Sequence, residues 1–315
     1  MSSNNDNTIS GVSADRFLPP ASLRSLQMGG LGVGAIGAVL CIIGFLTNKE
    51  QFLQSYLVAW VFWLLIALGS LGWLMINHLT SGSWGIVMRR SWEAAARTLP
   101  FLAILAIPMA FGMPDLFSWA REGVENDPIV SQKLAYLNVG SFWFRFFIYF
   151  AIWSALAFLL SSNSATQDRD GNPAATRRMR MISGPGLVIL VMSASFCCWD
   201  WLMSLDPHWF SSLYGIYFVC MNALSALAFT CILAWYLNER EPMQGVFKTK
   251  YFHDMGKLCL ALTMFWAYMT LSQFLITWSG NIPEFATWYV ARNENGWKAF
   301  SVFLIIFHFF VPFLI

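Results

Sequence analysis

The apolar residues of this chain gather in long runs separated by polar stretches, near 28–47, 54–78, 98–114, 138–160, 184–203, 208–237, 258–279 and 298–315. A helix needs roughly 20 apolar residues to cross a hydrocarbon core about 30 Å thick. These runs meet that length again and again. They predict an all-α polytopic membrane protein with at least eight transmembrane helices, made of a polar tail over 1–27 and a transmembrane helical domain over 28–315. The last run reaches Ile315 without a polar stop, so the chain is expected to end inside a helix with more protein following.

Two stretches break the simple alternation. From Ser83 to Leu99, Trp84, Met88, Trp92, Ala95 and Leu99 share one helical face, while Arg89, Arg90, Glu93 and Arg97 lie elsewhere around it. Such a stripe predicts an interfacial helix resting on the leaflet. The second stretch is a corner, Ser195 to Val219, where one helix ends near Trp199-Asp200-Trp201 and Asp206-Pro207 marks the start of the next. Aspartate accepts from the free N–H groups of a helix start, and proline fits its first position. Longer polar loops are expected at 161–182 and 238–257.

Composition agrees: 57% of residues are hydrophobic and 11% charged, against roughly 25% charged in an average soluble domain. Of nineteen Lys and Arg, thirteen fall on the side of the N-terminus and five on the other, with Arg145 inside the fourth run. That asymmetry puts the N-terminus in the cytoplasm and the Ser195–Val219 corner outside. No basic region followed by a short apolar core precedes the first run, so no cleaved signal peptide is expected. A net charge of +2 argues against nucleic acid as a partner. The six cysteines lie within or at the ends of apolar runs and show no zinc or cluster spacing, so they read as buried free thiols.

Three motifs dissolve on inspection. Gly32 to Gly37 spells GxGxxG, but without the strand a dinucleotide fold requires; Gly30, Gly34 and Ala38 form instead a small-residue face for helix packing. Asp168 to Asn172 lacks the glycine and glutamate positions of a calcium loop and reads as a turn. The four histidines (78, 208, 253 and 308) offer no pairs at matched depth for haem.

Charged and polar groups within spans are costly and point to function. Arg145 lies seven residues inside its run, about 10 Å deep; it either snorkels to the headgroups or pairs internally, with Asp115 or Asp200. His308, near mid-span, is either a proton relay or a bonded structural histidine. Tyr268, Ser272 and Gln273 lie on one side of the seventh span and either line a proton file or join helices. At the outer corner, Asp200, Asp206, His208, Trp209, Asn281 and Glu284 are candidates for docking a partner or for holding a quinol.

Several blocks carry a family resemblance. They are HLT at 78–80 with Trp84-Gly85 and Arg89-Arg90; 93–100; 134–138 with Arg145; MSLDPHWF at 203–210; FWAY at 265–268 with Ser272-Gln273; NIPE at 281–284; and Trp288-Tyr289. Over roughly 28–315 the chain resembles a membrane subunit of bacterial alternative complex III, a quinol:cytochrome c oxidoreductase, and is most similar to the second of its two NrfD-like, polysulphide-reductase-type subunits. The resemblance implies NrfD-like helical bundles of about ten spans, a place in the bacterial inner membrane, and a role as a subunit with no redox centre of its own. It implies a sister NrfD-like subunit, a multihaem cytochrome c subunit and an iron–sulphur subunit as partners, along with small membrane subunits. Haem c and iron–sulphur clusters would belong to those partners, which leaves quinone or quinol as the ligand this chain itself could meet. Two other readings stand beside it: the quinone-binding subunit itself, with Asp206 and His208 taking quinol protons, and a stand-alone transporter.

Overall fold

The computed structural model describes residues 21–315 apart from 172, 241, 242 and 295, together with Thr8–Ile9 and Val12–Ser13, which pair antiparallel. The rest of the predicted 1–27 tail before residue 21 lies outside the described residues. The long helices are α1 (Ala21–Thr47), α2 (Lys49–Thr80) and α3 (Ser83–Ala96), the last continued by short α4 (Leu99–Leu105), α5 (Ile107–Ala110) and α6 (Met113–Leu116). After the single turn α7 (Pro128–Ser131) come α8 (Val139–Asp170), α9 (Pro173–Trp201), α10 (Leu213–Asn238), α11 (Thr249–Gly280) and α12 (Pro283–Ala291). A final span comprises α13 (Trp297–Leu304), a π-helical turn over Ile305–Phe310, and α14 (Val311–Leu314). Among the described residues eight helices are long and apolar enough to cross a membrane. The protein is an all-α polytopic membrane protein.

Ion pairs and ring contacts sort the connections onto two sides. Lys49 with Asp115 (2.7 Å), His208 with Asp127 (2.8 Å) and Trp209 against Trp288 tie the 48, 111–138, 202–212 and 281–296 segments together. Arg89 with Asp168 (3.2 Å) and Arg180 with Ser81 (2.9 Å) tie 81–90 to the α8–α9 turn. The first group marks the far side of the bundle, and the second the near side.

The core is built around α2. Of its most apolar stretch 72% is buried, against none in α1 or the last span. Lipid tails are as apolar as leucine, so close packing must hold the helices together, and Gly69 provides a close backbone approach: a Cβ there would stand 1.9 Å from the Asn222 carbonyl oxygen on α10. The glycine face of α1 behaves differently. Gly30 and Gly34 have nothing within 4 Å, so the packing expected of that face is not realised within the described chain. The GxGxxG letters sit in one continuous helix.

Four boundaries depart from the sequence reading. The amphipathic Ser83–Leu99 segment is continuous with the third apolar helix long enough to span, Trp84–Ala110 rather than 98–114. Its apolar stripe packs inward: Met88, Trp92, Ala96 and Leu99 are buried, and Trp92 Nε1 donates to Thr230 Oγ1 on α10 at 2.9 Å. An amphipathic stripe says that one face is buried, but not whether lipid or protein buries it. Pro100 and Pro108 open fresh helical pieces within this span, as residues without an N–H do at a first turn.

The α8–α9 connection is short as well. Both helices run past the apolar core, and Gly171 at φ 61° caps α8, so the 161–182 loop shrinks to a turn. Helix α11 likewise begins at Thr249, inside the loop expected at 238–257. Finally, α10 starts at Leu213 and not near His208. Asp206 Oδ1 accepts from the His208 amide (3.2 Å), and this closes a turn in place of the helix cap. The reason lies close by: Trp209 is inserted beneath Trp288, ring centroids 5.1 Å apart, which holds 206–211 out of helical register.

Candidate functional site

The strongest polar constellation lies in the far half of the α8–α9 pair. Asn138 caps α8 by accepting from the Ser141 amide (2.8 Å), which fixes the helix so that Arg145 faces the last turns of α9. Arg145 Nε and Nη2 donate to the two Asp200 oxygens, each at 2.9 Å. Planar, two-pronged pairing of this kind is what a guanidinium does best. Of the alternatives open in the sequence, internal pairing with Asp200 is realised, and Asp115 pairs with Lys49 instead.

Asp200 is 0% exposed. Its expected place on a docking surface is therefore corrected: it is an interior acid. Tyr149, one helical turn beyond Arg145, donates its hydroxyl to Asp200 Oδ2 at 2.8 Å. Arg145 Nη1 donates to the Tyr136 carbonyl (3.0 Å), and its guanidinium stacks on the Tyr136 ring, 3.8 Å from the centroid. Although two-fifths of Tyr136 is exposed, its hydroxyl end is buried beside Asp200; burial first, then the carboxylate charge, push that hydroxyl up to about 12. It therefore stays a hydrogen-bond donor across ordinary pH. One turn deeper, Trp153 Nε1 donates to Ser193 Oγ (2.8 Å). The arrangement is a buried aspartate inside a span, held by one arginine and lined by hydroxyls.

The remaining far-side candidates form a separate surface. Asp206 and His208 are exposed, and His208 Nε2 meets Asp127 Oδ2 at 2.8 Å. Lys133 donates to the Pro207 carbonyl (2.6 Å), so the 127–133 segment is latched to the corner at two points. Trp209 is buried under Trp288, against whose ring the Arg292 guanidinium also stacks, at 3.4 Å. Asn281 caps α11 in the left-handed region (φ 47°), a conformation asparagine tolerates, and Glu284 stands exposed in the first turn of α12. A cavity of about 200 Å³ lies between α2, α9 and α10, away from Asp206 and His208.

The latch has a pH dependence. The Ile129 and Val130 amides, and then His208, hold the Asp127 carboxyl below its ordinary 3.8. A depressed folded pKa adds stability above the unfolded value, and that stability is lost as pH falls through the folded one. Protease cleavage within 121–137 should therefore stay slow down to about pH 4 and accelerate below it. Asp127→Asn keeps an acceptor for those amides but has no charge to lose, so its cleavage rate should not change across that pH window.

The expected file of Arg145, Tyr268, Ser272, Gln273 and His308 is not assembled. Tyr268 is 64% exposed on the outside of α11. Gln273 Oε1 accepts from Ser211 Oγ (2.5 Å) in the corner, and half-buried His308 meets the Trp266 ring edge-on at 4.4 Å. Trp266 Nε1 in turn donates to the Tyr217 hydroxyl (2.7 Å). Ser272, half-buried, sits beside Gln273 without joining that bond. Among the described residues no hydrogen bond links these groups to Arg145.

A second buried acid lies at the near side. Glu93 is 5% exposed and accepts from Arg90 Nη1 (2.5 Å), which also donates to Ser164 Oγ (3.2 Å). Arg90 and Arg89 both reach Asp168, and Arg89 donates to Gln167 (2.9 Å). His78, 7% exposed, faces this group with its Nε2 unpartnered among the described residues.

Tyr149 and Ser193 do not stand out in the sequence, although the signal is present. Arg145, Tyr149 and Trp153 repeat at i, i+4, i+8, and Ser193 and Asp200 lie seven apart, so each set shares a helix face. Glu93 is visible in the sequence but reads there as part of a leaflet surface. No protein-family model matches this chain, and a search of curated proteins finds no significant match.

Proposed function

We propose that this chain is a membrane subunit of a bacterial respiratory quinol:cytochrome c oxidoreductase of the alternative complex III type, and that its own chemistry is the handling of protons at Asp200. The observation that carries the reading is the bidentate Arg145–Asp200 pair inside a span, with Tyr149 on the same carboxylate. Ionisable groups at such depth are rare unless they serve a pathway. The blocks MSLDPHWF at 203–210 and NIPE at 281–284, through which the chain resembles that family, lie in and beside the far-side corner.

In this reading the protein lies in the bacterial inner membrane with its N-terminus in the cytoplasm, so the far side faces outward. The latched corner, with exposed Asp206, His208 and Glu284, is the surface on which a multihaem cytochrome c subunit and an iron–sulphur subunit rest. A sister NrfD-like subunit and small membrane subunits complete the assembly. Haem c and iron–sulphur centres belong to those partners, and quinol is oxidised outside this chain. Asp200 accepts a proton when Arg145 swings toward the Tyr136 carbonyl and ring, which already hold it from the other side. Tyr149 keeps the carboxylate oriented while the arginine is displaced.

Tyr149→Phe and Asp200→Asn, introduced into the complete complex in vesicles, test this. Proton translocation per electron should fall severalfold in both, while haem content and cytochrome c reduction persist. An unchanged proton-to-electron ratio in both variants would leave Asp200 a purely structural acid.

A further inference from the structure

Three sulphur-bearing side chains, Cys231, Met255 and Cys259, lie close together at the near-side end of the α10–α11 contact, where the sequence shows only scattered cysteines. Cys231 on α10 places its Sγ 4.0 Å from the Sδ of Met255 on α11. Its thiol also interacts with that of Cys259, which stands one turn from Met255 on the same helix. Met255 is fully buried and the two cysteines are half-buried and reduced. Three sulphurs bound to one ion at about 2.3 Å in a plane would lie about 4 Å from one another. The Cys231–Met255 separation already has that value.

The geometry points to a binding site for a soft monovalent metal, copper(I), held by the thiolates of Cys231 and Cys259 and the thioether of Met255. Two thiolates and a thioether are the ligand set that favours copper(I) over harder ions, and zinc would ask for a fourth ligand. The spacing that makes the site is the i, i+4 pair on α11, which puts Met255 and Cys259 on one face opposite Cys231. Cys231 lies seven residues from the end of α10 at Asn238, about 10 Å inside, so the ion would enter from the near side. Loading one copper(I) displaces the two thiol protons to water and leaves one net negative charge. The N-terminal end of α11, with Lys248, Lys250 and Lys257, supplies positive charge at that level. This site is independent of the proton chemistry at Asp200.

The test is copper(I) binding to the whole chain, purified in detergent without oxygen, in competition with a chromophoric copper(I) chelator. One equivalent should bind to the native chain and to Cys41→Ser. Cys231→Ser and Cys259→Ser should each abolish that equivalent, and X-ray absorption should show sulphur-only coordination. Should the serine variants fold poorly, Met255→Leu preserves the volume and should still weaken binding about tenfold, the least that losing even a supporting group of a metal site costs. The proposal is overturned if the native chain binds no more copper(I) than the Cys231→Ser variant, if Met255→Leu binds as tightly as native, or if the two cysteines are recovered as a disulphide with no metal.

Discussion

Asp200→Ala is expected to destabilise the purified chain by about 3–5 kcal/mol, because it leaves a guanidinium in the bundle without its counter-charge. Arg145 keeps only the Tyr136 carbonyl and ring, and with 16% of its side chain accessible it has little water to turn to. Thermal unfolding in a mild detergent measures the loss. The mirror change, Arg145→Met, should cost a similar amount, since it strands an acid that is 0% exposed. The informative variant is the double change Arg145→Met with Asp200→Leu. Removing both charges together abolishes the desolvation cost along with the attraction, so most of the stability should return. Were the double variant as unstable as the singles, the pair would be holding the fold through more than its charges, and the proton-handling role assigned to it would lose its basis.

Gly69→Leu should be as damaging, by a different route. A Cβ at Gly69 meets the Asn222 carbonyl oxygen and carbon at 1.9 and 2.5 Å, which are backbone atoms that no side-chain rotation can move. Helices α2 and α10 must therefore separate, and the Trp73–Ala223 hydrogen bond that bridges them separates too. A loss of about 3 kcal/mol or more follows, at the upper end for overpacking. Gly72 is the control. There a Cβ meets only the Leu190 methyl, at 3.5 Å, so Gly72→Ala should be neutral or stabilise slightly through its helix preference. Equal stability of the two variants would mean that α2 and α10 are not in close backbone contact.

The sequence carries some of this information and not the rest. The eight spans are legible because 20-residue apolar runs have few other uses, and Arg145 is legible because a charge within such a run stands out. Its partner narrows to two acids, but the choice between them requires knowing that the far ends of α8 and α9 are neighbours. The Ser83–Leu99 stripe and the Asp206-Pro207 pair mislead for a shared reason. Each is a local signal with two physical solutions, and tertiary contacts choose between them: Trp92 finds Thr230 rather than lipid, and Trp209 finds Trp288 rather than a helical register. The sulphur cluster is invisible because its two cysteines are 28 residues apart along the chain and are joined only by the crossing of α10 and α11.

Purification of the intact chain from its native membranes in mild detergent, with an absorption spectrum and identification of every co-purifying protein, bears most directly on the proposed function. The expected result is a stable assembly with c-type haem absorbance, an iron–sulphur protein, a second polytopic membrane subunit and quinol:cytochrome c reductase activity. Recovery of the chain alone, or with partners that carry neither haem nor iron, would contradict it.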